Sequence, residues 1–326
     1  MGIREEALDK QRSVIVSKKK KKKISISLIT SSLVLAGTLI FLACYFIEGI
    51  RSGLEYKKLS EIQSSLAELT TITTVGTTAP DAPIRKPILP LAEELLKQNP
   101  DTVGWITIQN TNINYPVVRR GNKEEENSYY LTHSFDGSQN RKGAVMMDYR
   151  TTASDIENSD NIVLYAHNEK DNSMFGDLDN YKNNGSNAWS DKALEFYKQN
   201  PVITFSTNYE KADYKIFAVF VTMTTDKYDS VPLFDYQNYI DFDMNRYMDF
   251  IDNIEKRNKL ITDVNYKFGD EFLTLSTCSN EANDARLVIV ARKVREGEGS
   301  FVDTTNATFE KNPVYEHNWT EIYKNY

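Results

Sequence analysis

Between residues 24 and 47 the chain carries no charged side chain, and this is its longest apolar stretch. A helix of 24 residues is long enough to cross a hydrocarbon core of roughly 30 Å. Six lysines, 18–23, precede it and Glu48 follows it. The positive-inside bias then places the N-terminus in the cytoplasm and residues 48–326 outside. A cleaved signal peptide is the rival reading, but its apolar region would run only about 7–15 residues and end at a small-residue site. Here Cys44-Tyr45-Phe46-Ile47 closes the span. Thr, Ser and Gly dilute the stretch, which leaves a buried soluble helix as a further alternative. An uncleaved signal anchor is the expected reading.

Beyond it, residues 48–70 are polar and helix-compatible, and 70–90 are rich in Thr and Pro. That composition predicts a membrane-proximal stalk followed by an extended linker, together 48–90. Residues 91–98 read as a short helix stopped by Asn99-Pro100. Strand patterns then dominate. β-branched and aromatic runs bounded by turn residues fall at 103–108, 113–118, 143–149, 161–167, 202–207, 214–223, 272–278 and 286–294. Eight such strands suit a sandwich or a barrel. Short helices are predicted at 178–181 and 192–199. The best amphipathic helix lies at 243–257, with Met244, Tyr247, Met248, Ile251 and Ile254 on the helical period. It sits in a long insertion, 224–268, that packs on the strands and is placed to wall a groove. The tail, 296–326, is polar with scattered aromatics and is expected to be loosely ordered.

Charge narrows the function classes. The net charge is -7, with nine Lys or Arg and three acidic residues in 1–23, so the remainder carries -13. An acidic body lacks the basic clusters that phosphate backbones require, and no nucleic-acid partner is expected. No cofactor or metal is expected either. The three histidines lie far apart, without ligand spacing or a Cys pair. The acidic runs 124–126 and 241–243 read as solvated surface, and neither matches a twelve-residue calcium loop with its glycine.

The chemistry concentrates at 273–290. Two β-branched runs flank a short polar loop, with Cys278 ending the first run and Arg286 opening the second. Of the two cysteines, Cys44 lies in the apolar span, so Cys278 has no intramolecular partner outside the membrane. Such a thiol is a packed bystander, an intermolecular bridge or a nucleophile. A nucleophile needs a base and donors for an oxyanion. His167 ends an apolar strand and enters a polar loop, which suits a cleft. His133 reads equally as a structural residue bonded to a carbonyl, and His317 lies in the tail. A papain-like enzyme would place Cys before His, and the caspase signature around the thiol is absent.

The residues carry one specific resemblance. Leu275-Ser276-Thr277-Cys278 with Arg286 eight positions on resembles the active-site signature of the sortases, the membrane-anchored cysteine transpeptidases of Gram-positive bacteria. Tyr165-Ala166-His167-Asn168, Ser173-Met174-Phe175-Gly176-Asp177-Leu178, Asn114-Tyr115-Pro116-Val117-Val118, Phe135-Asp136-Gly137 and Met147-Asp148-Tyr149-Arg150 are similar to class B in particular. Ala166 stands where many relatives have Gly. The resemblance runs from about 91 to 294 and makes 91–295 the catalytic domain. It implies an eight-stranded β-barrel with N-terminal helices and a further helix between the sixth and seventh strands. It also implies Cys278 as nucleophile, His167 as acid/base and Arg286 as oxyanion or substrate stabiliser. Ser276, Thr277 and Asn168 are expected to line the substrate site. The implied substrates are secreted proteins with a C-terminal sorting motif, joined to a peptidoglycan amine or, alternatively, to a pilin lysine. The contrasting reading is a surface-displayed binding module.

Overall fold

The structure, a computed structural model, describes residues 26–67, 85–182, 189–227 and 230–317. It divides into two units, Met1–Arg51 and Ser52–Tyr326. Helix α1, Ile26–Ala67, begins in the first. Leu35, Leu39, Ile40, Phe41 and Phe46 are exposed on it, and the helix is long and apolar enough to cross a membrane. Three of the hydroxyls that dilute the span are satisfied within it. Thr30 and Ser31 donate to Ser27 O, and Thr38 donates to Val34 O. Intrahelical bonds of this kind let Ser and Thr enter lipid without orphaned groups.

In the second unit eight strands close a barrel in the order β1-β2-β3-β4-β8-β9-β6-β5. Their ranges are β1 Thr102–Thr107, β2 Asn114–Val118, β3 Val145–Met147, β4 Asn161–Tyr165, β5 Val202–Thr207, β6 Lys211–Met223, β8 Phe272–Cys278 and β9 Ala285–Lys293. All eight predicted strands are present, so the expected barrel is observed rather than a sandwich. Two pairs, β2 with β3 and β4 with β8, are parallel. Parallel neighbours need long crossovers. The second of these carries helix α3 (Asp191–Gln199), strands β5 and β6, and helix α4 (Met244–Glu255). Helix α2, Pro90–Gln98, precedes β1 and packs Ala92 and Leu95 inward. Gly104 is required where β1 meets β5, because a Cβ there would lie 2.1 Å from Ser206 O.

The barrel interior is filled by Ile106, Val117, Val145, Leu164, Leu273, Leu275 and Ile289, among others. A second, aromatic core lies between α4 and the barrel wall and includes Phe217, Phe220, Phe234, Phe250 and Phe272. The amphipathic helix is therefore found between the sixth and seventh barrel strands, as expected, but its buried face is rotated. Tyr247, Phe250, Ile251 and Ile254 face the core, whereas Met244 and Met248 are exposed. Positions 247, 250, 251 and 254 form an i, i+3, i+4, i+7 stripe just as 244, 247, 248 and 251 do, and the former is buried because Phe250 fills the aromatic core. Asp243 caps the helix by accepting from Arg246 N–H at 2.8 Å.

The segment after Glu296, expected to be loosely ordered, is fastened through residue 317. Glu298 accepts from Arg292 and Lys215, and strand β10 (Thr308–Phe309) pairs with β7 (Leu260–Ile261). Tyr315 N–H donates to Lys256 O at 2.8 Å. The hydrogen bond from Arg292, outweighing burial, holds the Glu298 carboxyl well below its usual range.

Candidate active site

Strands β8 and β9 form a hairpin in which Cys278 and Arg286 are directly opposite. Opposed residues project from one face with Cβ atoms about 4.5–5.5 Å apart. The connecting loop, 279–284, turns through Asp284, which adopts a left-handed φ of 63°, a conformation aspartate tolerates better than most residues. Ser279 N–H closes the loop on Ala285 O at 2.9 Å.

On the other side of β8 runs β4, parallel, with Tyr165 opposite Ser276. Two residues further along each chain stand His167 and Cys278. Side chains keep the two chains together past the ladder. Thr277 Oγ1 donates to Ala166 O at 2.8 Å, and Asn168 Nδ2 donates to Cys278 O at 2.8 Å. His167 therefore stands just past the end of β4, beside the end of β8, where Cys278 faces Arg286 on β9. Cys278 is exposed, and His167 and Arg286 are half-buried. Exposure removes the packed-bystander reading of the thiol.

The imidazole is oriented by its surroundings. Its Nε2 lies 2.8 Å from Leu131 O. A carbonyl only accepts, so Nε2 carries hydrogen and Nδ1 is the atom free to gain or lose a proton. The backbone of the same residue is fixed by Phe175 N–H, which donates to His167 O at 2.9 Å. His133 instead contacts Tyr129 O through Nδ1 at 2.8 Å and stacks on the Tyr129 ring at 3.9 Å. His317 lines a small cavity with Trp189, Arg257 and Pro313.

The three residues expected to line the substrate site use their polar atoms inside the protein. Ser276 is buried and bonds Tyr236 OH at 2.7 Å, and the Thr277 hydroxyl is spent on Ala166 O. Asn168 gives its amide to Cys278 O and to Asp179 Oδ2 at 3.0 Å. Thr277 and Asn168 fasten the ends of β4 and β8 to each other, and Ser276 fastens β8 to the insertion. Burial raises the pKa of Tyr236, while its bond to Ser276 and the Arg286 charge act in the opposite direction.

Sequence reading missed a buried charged cluster behind the loop. Lys182 and Glu281 form an ion pair with side chains 2% and 3% exposed. Ser279 joins both, accepting from Lys182 Nζ at 3.1 Å and donating to Glu281. Asp179 lies beside them; burial raises its pKa, opposed by the Asn168 bond and the Lys182 charge. Among the described residues, no group of three or more His, Cys, Asp or Glu is placed to hold a metal ion.

The insertion is fastened to the barrel at the start of β4 and at Arg150. Asn161 Nδ2 donates to Tyr239 O at 2.8 Å, and Arg150 reaches Asn238. Arg150 itself grips Asp148 through Nε at 2.8 Å and Nη2 at 2.9 Å, and Tyr165 OH donates to the same carboxylate at 2.9 Å.

Comparison with known proteins agrees with this geometry. The sortase domain family matches residues 106–294. The chain is 31% identical to sortase B of Staphylococcus aureus over 64% of this chain and 76% of that protein. It is 30% identical to sortase B of Listeria monocytogenes over 79% of this chain and 95% of that one. Its fold is similar to that of the Staphylococcus aureus sortase B–substrate complex, with a TM-score of 0.59 and 27% identity over 76% of this chain and 99% of that one. Matches of this length, on a barrel of this topology, show that the chain belongs to the sortase B family of cysteine transpeptidases.

Proposed function

We propose that the protein cleaves a sorting motif near the C-terminus of secreted proteins through a thioacyl intermediate on Cys278 and transfers them to a cell-wall amine. The observation that carries this reading is that His167, just past the end of β4, flanks the end of β8 where Cys278 is paired with Arg286 of β9. The Cys278 sulfur, as thiolate, attacks the carbonyl carbon of the scissile peptide. A C–S bond forms, and the carbonyl electron pair moves onto oxygen. Arg286 donates to that developing oxyanion, for which its planar fork of N–H groups is suited. The tetrahedral species collapses and the C–N bond breaks. The leaving nitrogen takes the proton that His167 carries as imidazolium. The acceptor amine then attacks the thioester, His167 Nδ1 takes the proton that amine loses, and Cys278 departs as thiolate.

In this reading Ser276, Thr277 and Asn168 hold the strand ends at the correct level. Water competes with the amine for the thioester, so shielding favours transfer over hydrolysis. The 224–268 insertion, packed on β4 and β8 through Tyr236 and Tyr239, supplies one side of that shield. Residues 24–47 anchor the chain, with 1–23 cytoplasmic and the catalytic body, 91–295, outside together with the segment that follows the span. That arrangement puts the thiol where secreted substrates and wall precursors meet.

The full-length chain in detergent micelles, given a library of sorting pentapeptides with either triglycine or a lysine-bearing pilin-type peptide, tests the proposal. Mass analysis is expected to find the acyl half of the peptide joined to triglycine, and no joined product with Cys278→Ala. Joining only to the lysine peptide would instead make the enzyme a pilin polymerase. Cleavage without joining to either amine would reject the transfer step.

A further inference from the structure

The residues that follow the apolar span were read as a spacer, yet one face of them is built into the catalytic body. Ser52, Tyr56 and Leu59, at i, i+4 and i+7 of α1, are buried. Tyr56 stands where the two loops that hold His167 come together. Its hydroxyl donates to Gly143 O at 3.2 Å. Gly143 has a φ of +63°, and a Cβ there would fall 2.4 Å from Tyr130 O and 2.9 Å from Leu131 O. The Gly143 backbone thus lies close beside the carbonyl that accepts from His167 Nε2, with no room for a side chain between them. Ala144 N–H adds a bond to Tyr130 O at 2.9 Å.

The Tyr56 ring meets the other loop. It packs edge-to-face on Tyr115, with centroids 5.1 Å apart. Tyr115 OH accepts from Met174 N–H at 3.2 Å. Met174 is buried and holds a left-handed φ of 54°, a conformation a non-glycine residue keeps only when its surroundings enforce it. The next residue, Phe175, donates to His167 O. Two further contacts tie the assembly together. Glu55 accepts from Asp136 N–H at 2.8 Å, and Lys142 bridges to Asp171 and Ser173.

We infer that Tyr56, on the segment next to the membrane span, is a positioning residue for His167, bracing from one side chain both the carbonyl that holds the ring and the turn that holds the backbone. The inference rests on His167 being the acid/base group. A shift of about 1 Å at a reacting group costs on the order of a hundredfold in rate, so Tyr56→Ala in the full-length chain is expected to lower kcat roughly tenfold to a hundredfold with KM little changed. The His167 ring resonance should move or broaden in histidine-labelled NMR while that of His133 stays in place. Tyr56→Phe keeps the Tyr115 contact and should restore most of the rate. Tyr56→Leu preserves core volume and carries the test if the alanine variant does not fold. Unchanged kcat and an unmoved His167 resonance in Tyr56→Ala and Tyr56→Leu would overturn the brace, even with His167→Ala inactive. Wild-type turnover by His167→Ala would instead reject the acid/base reading, and the resonance alone would then decide whether Tyr56 holds that ring.

Discussion

Lys182→Met offers a sharp test of the buried cluster behind the nucleophile loop. The Lys182 and Glu281 side chains are 2% and 3% exposed, so the wild-type pair is desolvated and each charge depends on the other. Methionine removes the ammonium and leaves the Glu281 carboxylate with only the Ser279 hydroxyl. Removing one partner of a buried pair costs about 3–5 kcal/mol. For domains of 150–250 residues each kcal/mol lowers Tm by roughly 2–4 °C. The unit Ser52–Tyr326 is somewhat larger than that range. At about 2 °C per kcal/mol, the low end that its size implies, the expected loss is roughly 6–10 °C. The double variant Lys182→Met/Glu281→Gln removes both charges and keeps an acceptor for Ser279, so it should recover most of the loss. Thermal unfolding of the three full-length proteins, followed by circular dichroism under identical conditions, reads both effects. A single variant within about 1 kcal/mol of wild type, the usual range for an exposed pair, would refute the claim that this ion pair is dry and mutually dependent. A double variant as unstable as the single one would show that the carboxylate is not the source of the loss.

Arg286→Lys keeps the charge but loses the fork of donors, and kcat is expected to fall about a hundredfold, the scale of one lost oxyanion donor, in steady-state transpeptidation assays. His167→Ala should be far more damaging than His133→Ala, since only the former stands beside the end of β8 that carries Cys278; equal losses in two folded variants would leave the assignment without support. Asp179 has its folded pKa raised by burial, so its contribution to stability is greatest below the unfolded carboxylate range and is lost as pH rises through the folded value. Asp179→Asn should therefore show a higher Tm than wild type at pH 7, the gap closing toward pH 3; a gap that widens on acidification would reverse the sign of the argument.

The barrel strands were legible because each is a short run rich in β-branched and aromatic residues bounded by turn residues. Pairing was not legible. Nothing local in 161–165 marks a parallel register with 272–276, more than a hundred residues away. The same limit explains the site. Cys278 and Arg286 were readable because one hairpin carries both, and His167 because it ends an apolar strand. Lys182, Glu281 and Asp179 look like ordinary surface charges along the chain and acquire meaning only when the 3₁₀ helix Gly176–Tyr181 and Lys182 after it meet the 279–284 loop. Tyr56 was hidden in a segment whose charges, Glu55 and Lys57 beside it, resemble a solvated stalk. The rotated face of α4 has a different origin. Met244 and Met248 fit the helical period as well as Phe250 does, and only the aromatic core outside the barrel chooses between them.

Intact-mass analysis of the full-length chain quenched in acid during turnover of its sorting peptide tests the nucleophile most directly. The sulfur of Cys278 should carry the acyl half of the peptide, the adduct should vanish on adding the acceptor amine, and Cys278→Ala should show no adduct at all. An acyl group mapped to any other residue, or cleavage that persists in Cys278→Ala, would contradict the mechanism.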